Sequence, residues 1–246
     1  MAEENSHLWV VTGAASGIGA AVTRTVRRDG ARVLALDVND AAGTLLAGET
    51  GANYFHCDVG EAEDWQAVAA ELRTIGTPTR IHLNAGIQIA PPSAPLSDYQ
   101  LETATLERYR KMMSVNVDGV VFGLKTLLPM LEPGAAVVVT ASLAGIAPYA
   151  IDPLYAMSKH AVVGLVRSLG PTLEARGIRI NAICPGGIDT AIIPEAQRTD
   201  EAVFMTPEQV AAEVVYLMSV QAYGKAWAKV SEDKPVFIVR APGDKS

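Results

Sequence analysis

Tyr155 and Lys159 stand four residues apart in the run Tyr155-Ala156-Met157-Ser158-Lys159, a spacing that places both side chains on one face of a helix. An unperturbed phenol has a pKa near 10 and is a poor base at neutral pH. A neighbouring ammonium favours the phenolate and brings the group toward its working range. Ser142 follows the Ala/Val run 135–140, and a hydroxyl beyond the carboxyl end of a strand can donate to a substrate carbonyl oxygen. The turn Thr12-Gly13-Ala14-Ala15-Ser16-Gly17-Ile18-Gly19 lies between a strand-like run and a helical one. Its glycines let the backbone approach a pyrophosphate, and the helix that follows offers free N–H donors. Asp37 ends the second strand-like run, where a carboxylate can accept hydrogen bonds from both ribose hydroxyls of an adenosine and repel a 2′-phosphate. Neither Val38 nor Asn39 after it is basic, nor is Ser16, which favours NAD over NADP. Each signal alone has a plainer reading: a chance pair on a helix, a serine after a strand, a tight turn, an aspartate opening a turn.

The elements that must carry these residues alternate along the chain. Strand patterns are read at 7–12, 31–37, 53–57, 80–84, 135–140, 178–184 and 235–240. Helical spacing fills 17–28, 40–48, 61–75, a long stretch ending near Leu131, 152–176 and 206–219. The nearly pure Ala/Val run at 135–140 has the continuous apolar character of a strand covered on both faces. Strands separated by helices of this length need right-handed parallel crossovers. The expected fold is therefore α/β: one Rossmann-type, doubly wound parallel sheet of about seven strands with helices on both faces, in a single domain.

Composition excludes several other classes. A chain of 246 residues, about half of them apolar, is long enough to bury a large core without metal or disulfide staples. Its net charge of -7, without a basic cluster, disfavours nucleic acid as a partner. The two cysteines, Cys57 and Cys184, have no CxxC or Cys/His neighbourhood, so neither a disulfide framework nor a metal site is expected. The N-terminal residues lack a signal-peptide pattern and no run is long enough to span a membrane. A soluble, cytoplasmic protein is the expectation.

Taken in order, these residues resemble the short-chain dehydrogenase/reductase family over nearly the whole chain. TGAASGIG at 12–19 is similar to the family's cofactor loop, and Asn84-Ala85-Gly86 to its NAG motif. Asn116 in Val115-Asn116-Val117 matches the helix asparagine, and Ser142, Tyr155 and Lys159 match the catalytic serine and the YxxxK pair. Pro185-Gly186 through Thr190, including Ile188, matches the segment near the nicotinamide, and Asp58-Val59 the pair that touches the adenine. The resemblance implies that Tyr155 exchanges a proton with the substrate oxygen, that Lys159 lowers the Tyr155 pKa and holds the nicotinamide ribose, and that Ser142 orients the carbonyl. It implies that Asn116 holds a water linking Lys159 to solvent, that hydride passes to or from NAD(H), and that no metal takes part. Gly13, Ser16, Gly17, Ile18 and Gly19 would cradle the pyrophosphate.

The chain also departs from the family pattern. Leu83 replaces the first Asn of the usual Asn-Asn-Ala-Gly, and the stretch from Gly86 to Asn116 is long and proline-rich. The C-terminal tail, 221–246, lacks the VDGG-like ending, and that tail bears on whether the expected homo-oligomer is a dimer or a tetramer. A substrate lid is expected over 187–206. Ile188, Ile192, Ile193, Pro194, Phe204 and Met205 would face Ala144, Ile146, Tyr149 and Ile151 across an apolar pocket. These apolar residues could equally pack the lid on the core. The expected substrate is a hydrophobic secondary alcohol or ketone, cyclic or steroid-like. Two rivals are a nucleotide-sugar epimerase or dehydratase and a non-catalytic NAD-binding sensor or scaffold. The first needs a larger C-terminal domain, and the second would be free to lose Ser142, Tyr155 or Lys159.

Overall fold

The structure, a computed structural model, describes residues 7–241. The sequence expectations for residues 1–6 and for the Pro242-Gly243 end of the tail lie outside the described residues. The chain opens with β1 (Leu8–Thr12), whose five residues are all buried. Then come α1 (Gly17–Arg28), β2 (Arg32–Asp37), α2 (Asp40–Thr50), β3 (Asn53–His56), α3 (Ala62–Ile75) and β4 (Arg80–Leu83). The second half runs α4 (Leu106–Met113), α5 (Gly119–Leu127), β5 (Ala136–Thr140), α6 (Pro153–Glu174), β6 (Arg179–Pro185), α7 (Pro207–Leu217), β7 (Lys225–Lys229) and β8 (Phe237–Val239).

The strands form one sheet in the order β3-β2-β1-β4-β5-β6-β7-β8. Pairing is parallel from β3 through β7, and β8 runs antiparallel to β7. The order reverses between β1 and β4, and at such a switch point the loops leave the strand ends in opposite directions and open a crevice. Helices cover both faces. Trp65, Leu72, Leu127, Val162 and Val166 pack one face, and Val22, Val26, Val210 and Leu217 pack the other. This is the expected Rossmann-type α/β domain.

Three elements differ from the sequence expectation. The long helix before Leu131 is divided: a single π turn, Ser114–Asp118, separates α4 from α5, and a 3-10 turn closes the run at Leu128–Met130. The π turn carries Asn116, consistent with the tendency of such bulges to occur at functional positions. The strand β7 was not anticipated, because Lys-Ala-Trp-Ala-Lys has no apolar run to signal it. Lys229 is nonetheless buried, its ammonium bound by Glu213 at 2.9 Å and by the carbonyls of Glu232 and Lys234. The last strand is present but shorter than expected and antiparallel, with Phe237 and Ile238 exposed.

Candidate active site

The strand ends at the switch point open into a cleft of about 760 Å³. One end is the turn after β1. Gly13 and Gly17 have φ of 61° and 50°, a region that side-chain-bearing residues rarely enter. A Cβ on Gly13 would stand 2.9 Å from Ala85 Cα, and one on Gly19 would stand 2.2 Å from the Gly13 carbonyl oxygen. Ser16 caps α1 without a side-chain hydrogen bond, so the first amides of the helix remain available to an anion. The turn is braced from below by Thr12. Its hydroxyl accepts from the amides of Asn84 (2.8 Å) and Ala85 (3.1 Å), while the Asn84 side chain donates to the Thr12 carbonyl at 3.2 Å.

Asp37 closes β2 next to this turn. Its carboxylate accepts from the Ala15 amide at 2.9 Å and from the Asn39 amide at 2.9 Å, which fixes its orientation. Tyr54 supports the same strand end by donating to the Asp37 carbonyl at 2.9 Å. Asp58 pairs with Lys111 at 2.8 Å, and this ion pair and the Gly60 amide hold its carboxyl below the usual range against the effect of its burial. Lys111 lines the cleft, whereas Val59 is 5% exposed and packs in the core against Gly119.

The other end of the cleft carries Ser142, Tyr155 and Lys159 together. Ser142 follows β5 and caps a short turn, its hydroxyl accepting from the Ala144 amide at 3.1 Å. Asp152, fully buried, caps α6 by accepting from the Tyr155 amide at 2.8 Å. Its second oxygen accepts from the Ile89 amide at 2.9 Å, so one carboxylate ties α6 to the loop after β4. Tyr155 then falls on the first turn of α6, and Lys159 one turn further along. The Lys159 ammonium donates to the Thr140 carbonyl at 3.0 Å and lies 5.5 Å from the Tyr155 ring centre. Gly86 leaves room for it: a Cβ there would stand 3.1 Å from Lys159 Nζ and 3.4 Å from Asn116 Oδ1.

In the chain by itself, burial dominates the electrostatics of Tyr155 and Lys159. Burial raises the Tyr155 pKa above the ordinary tyrosine range, with the Ser142 hydrogen bond acting in the opposite direction. Burial brings Lys159 down to about 8. Removal from water therefore dominates both groups when no cofactor lies beside them.

Asn116 is fully buried, and its side chain is engaged. Its Oδ1 accepts from the Ile87 amide at 2.8 Å, and its Nδ2 donates to the Ile87 carbonyl (2.8 Å) and the Ser158 hydroxyl (3.0 Å). The lid segment contributes Ile188, Thr190, Ile192, Ile193 and Phe204 to the cleft, opposite Ala144 and Tyr149, and Pro185 and Gly186 line it as well. Met205 is a correction. It is 4% exposed, bridges to Ile188 and packs in the core on the α1/α7 face rather than facing the cleft. Ile146, Ile151 and Pro194 are likewise outside the cleft wall. Thr12, Thr140, Asp152 and Gln88 were missed by the sequence reading. Gln88 had a signal as a polar residue within the apolar run Ile87–Ala90, and Asp152, before Pro153, had the signal of a helix N-cap.

Known proteins agree with this arrangement. A family model described as enoyl-(acyl carrier protein) reductase matches residues 13–225. A 2,5-dichloro-2,5-cyclohexadiene-1,4-diol dehydrogenase from Sphingobium indicum is 34% identical, over 85% of this chain and 88% of that protein. A (+)-borneol dehydrogenase from Salvia officinalis is 30% identical, over 87% of this chain and 83% of its own length. A crystal structure of a 3-ketoacyl-(acyl-carrier-protein) reductase from Brucella melitensis, complexed with NADH, superposes with a TM-score of 0.80 at 25% identity, covering 92% of this chain and 97% of that one. The chain belongs to the short-chain dehydrogenase/reductase family. It is an oxidoreductase built to use a nicotinamide cofactor, and the open glycine turn at one end of the cleft fits such a dinucleotide.

Proposed function

We propose that this protein is an NAD-dependent dehydrogenase/reductase of a cyclic secondary alcohol and its ketone, with Tyr155 as the acid/base. The observation that carries this reading is the single cleft that joins the glycine turn at one end to Ser142, Tyr155 and Lys159 at the other. Bound along it, the nicotinamide supplies a hydride acceptor for the carbinol carbon, or a hydride donor in the reverse direction. In alcohol oxidation, Tyr155 takes the proton from the substrate hydroxyl. In ketone reduction it returns that proton to the carbonyl oxygen. The Ser142 hydroxyl, one of whose two lone pairs accepts from the Ala144 amide, donates its hydrogen to the substrate oxygen when substrate stands beside Tyr155. Lys159 uses one N–H on Thr140 and has others for the cofactor's ribose and for the Tyr155 side. The side chain of Asn116 is occupied, so its part in the proton path is to hold a water through its main chain.

NAD rather than NADP is supported by Asp37, whose carboxylate is anchored beside the glycine turn, where a 2′-phosphate would meet a fixed negative charge. The apolar side chains of the cleft, and relatives named as dehydrogenases of cyclic alcohols, support a hydrophobic cyclic substrate. The segment 187–206 acts as its lid, and the working unit is a soluble homo-oligomer. The experiment is a panel of cyclic secondary alcohols with NAD and NADP side by side. NAD should be reduced and NADP should be much poorer. A preference for NADP would overturn the cofactor assignment, and a preference for acidic or CoA-linked substrates would overturn the apolar cleft.

A further inference from the structure

The segment 187–206 is pinned where it begins and ends. Ile188 bridges to Met205, the Asp189 amide donates to the Met205 carbonyl at 2.8 Å, and the Met205 amide donates to the Gly187 carbonyl at 3.0 Å. Between these ends its regular structure is a 3-10 turn at Glu195–Gln197. Three bonds tie the span to the opposite wall of the cleft. Gln88 Nε2 donates to the Ile192 carbonyl at 3.1 Å, the Glu195 amide to the Pro92 carbonyl at 2.9 Å, and the Tyr149 hydroxyl to Gln197 Oε1 at 3.2 Å. One side chain then folds the span back on its own start. Arg198 donates through Nη1 to Asp189 Oδ1 and through Nη2 to the Thr190 carbonyl, both at 2.6 Å. Its guanidinium carbon lies 5.8 Å from the centre of the Phe204 ring. Thr190 reaches the glycine turn, since a Cβ on Gly17 would stand 3.1 Å from Thr190 Cγ2. Thr190 and Phe204 line the cleft, and Arg198 stands outside its wall.

We infer that Arg198 is the latch of the lid: it holds Thr190 against the glycine turn, and its release sets how fast a bound dinucleotide leaves. A partly exposed ion pair by itself is worth little. Arg198 has more than that, because its planar fork meets a carboxylate and a carbonyl together while a ring lies within cation–π reach. One group thereby joins the start of the lid, Asp189-Thr190, to its far end at Phe204. Arg198 touches no reacting atom, so its role is positioning. Opening of such segments governs product release in many enzymes. This rests on the reading of the cleft as a dinucleotide site under a lid, which assigns no residue to hold that lid shut.

The test is the rate at which NADH leaves the protein, followed by stopped flow as its bound fluorescence is lost to displacement by excess NAD. Arg198→Gln should raise that rate by about three- to tenfold, the worth of a partly exposed ion pair and one further charged hydrogen bond. Arg198→Lys, which keeps the charge without the fork, should fall between the native protein and Arg198→Gln. Asp189→Asn should also raise the rate, and adding it to Arg198→Gln should bring little further gain, because both changes open one contact. The melting temperature without NADH should stay at the native value in each variant, since Arg198 lies outside the two apolar layers. If Arg198→Gln does not fold, Arg198→Lys and Asp189→Asn decide the matter. A release rate changed by less than about twofold would overturn the latch while leaving the dinucleotide reading intact. Effects of Arg198→Gln and Asp189→Asn that multiply, or a lowered melting temperature without NADH, would overturn it too. Failure of the native protein to bind NADH would overturn the dinucleotide reading and this inference with it.

Discussion

Tyr155 and Lys159 are both buried, and burial acts against the charged form of each. In the proposed mechanism the pair becomes useful when a positive nicotinamide and the ammonium stand together beside the phenol. That arrangement has a pH signature with a definite sign. Alcohol oxidation needs the phenolate, so kcat/KM for oxidation should rise with pH. Lys159 titrates at about 8, so its help is present below that pH and fades above it. Lys159→Met should displace the alkaline rise upward by about one unit or more, since the phenol loses its nearest cation. A profile that keeps its midpoint in Lys159→Met would show that Lys159 serves only in binding. Beside the glycine turn, Asp37→Ala should lower kcat/KM with NAD by about ten- to a hundredfold, the worth of hydrogen bonds to a charged acceptor. The variant should also narrow the gap to NADP. Tyr155, Lys159, Ser142 and Asp37, to which the proposed chemistry is assigned, were readable in the sequence because their residue types suit that chemistry and their order along the chain follows the strand ends. Gln88 and Asp152 were not, because their importance lies in partners distant in sequence: Ile192 for one, Ile89 for the other.

The elements around the site are held by caps and bulges rather than by periodicity. Asp152 joins α6 to the loop after β4, and the π turn at Ser114–Asp118 buries Asn116 against that same loop. Asp152→Ala removes an N-cap and strands the Ile89 amide, so the protein should lose about 2–3 kcal/mol in urea unfolding. The loss in activity should be larger than this stability change would cause at a temperature where the variant is folded, because Tyr155 and Gln88 both lose their anchor. Full activity in Asp152→Ala would show that the anchor is dispensable. The strands and most helices were legible, since a buried parallel strand such as β5 is written as a plain apolar run. The π turn was hidden, because a widened turn leaves no gap in helical spacing. β7 was hidden because its lysines are buried through partners, Glu213 and two carbonyls, that a linear pattern does not display.

At the scale of the whole molecule, the sheet divides the work. Two apolar layers cover its faces, and the cleft crosses its carboxyl edge at the point where strand order reverses. A ligand spanning that edge bonds to both halves of the sheet and should stabilise them together. At NADH concentrations a hundred times Kd the gain is about 2.7 kcal/mol, or roughly 5–10 °C in Tm for a domain of this size. NADPH at the same concentration should give a clearly smaller shift, and equal shifts would contradict the role given to Asp37. No helix among the described residues is long and apolar enough to cross a membrane. The central claim is that one cleft brings a nicotinamide to Tyr155, and the rate of NAD reduction by a cyclic secondary alcohol tests it most directly. The native protein should form NADH, and Tyr155→Phe should be slower by about 10²–10⁴-fold while still binding NADH, as expected when a general acid/base is removed. If Tyr155→Phe retains most of the native rate, the proton moves by another route and the account of the site is wrong.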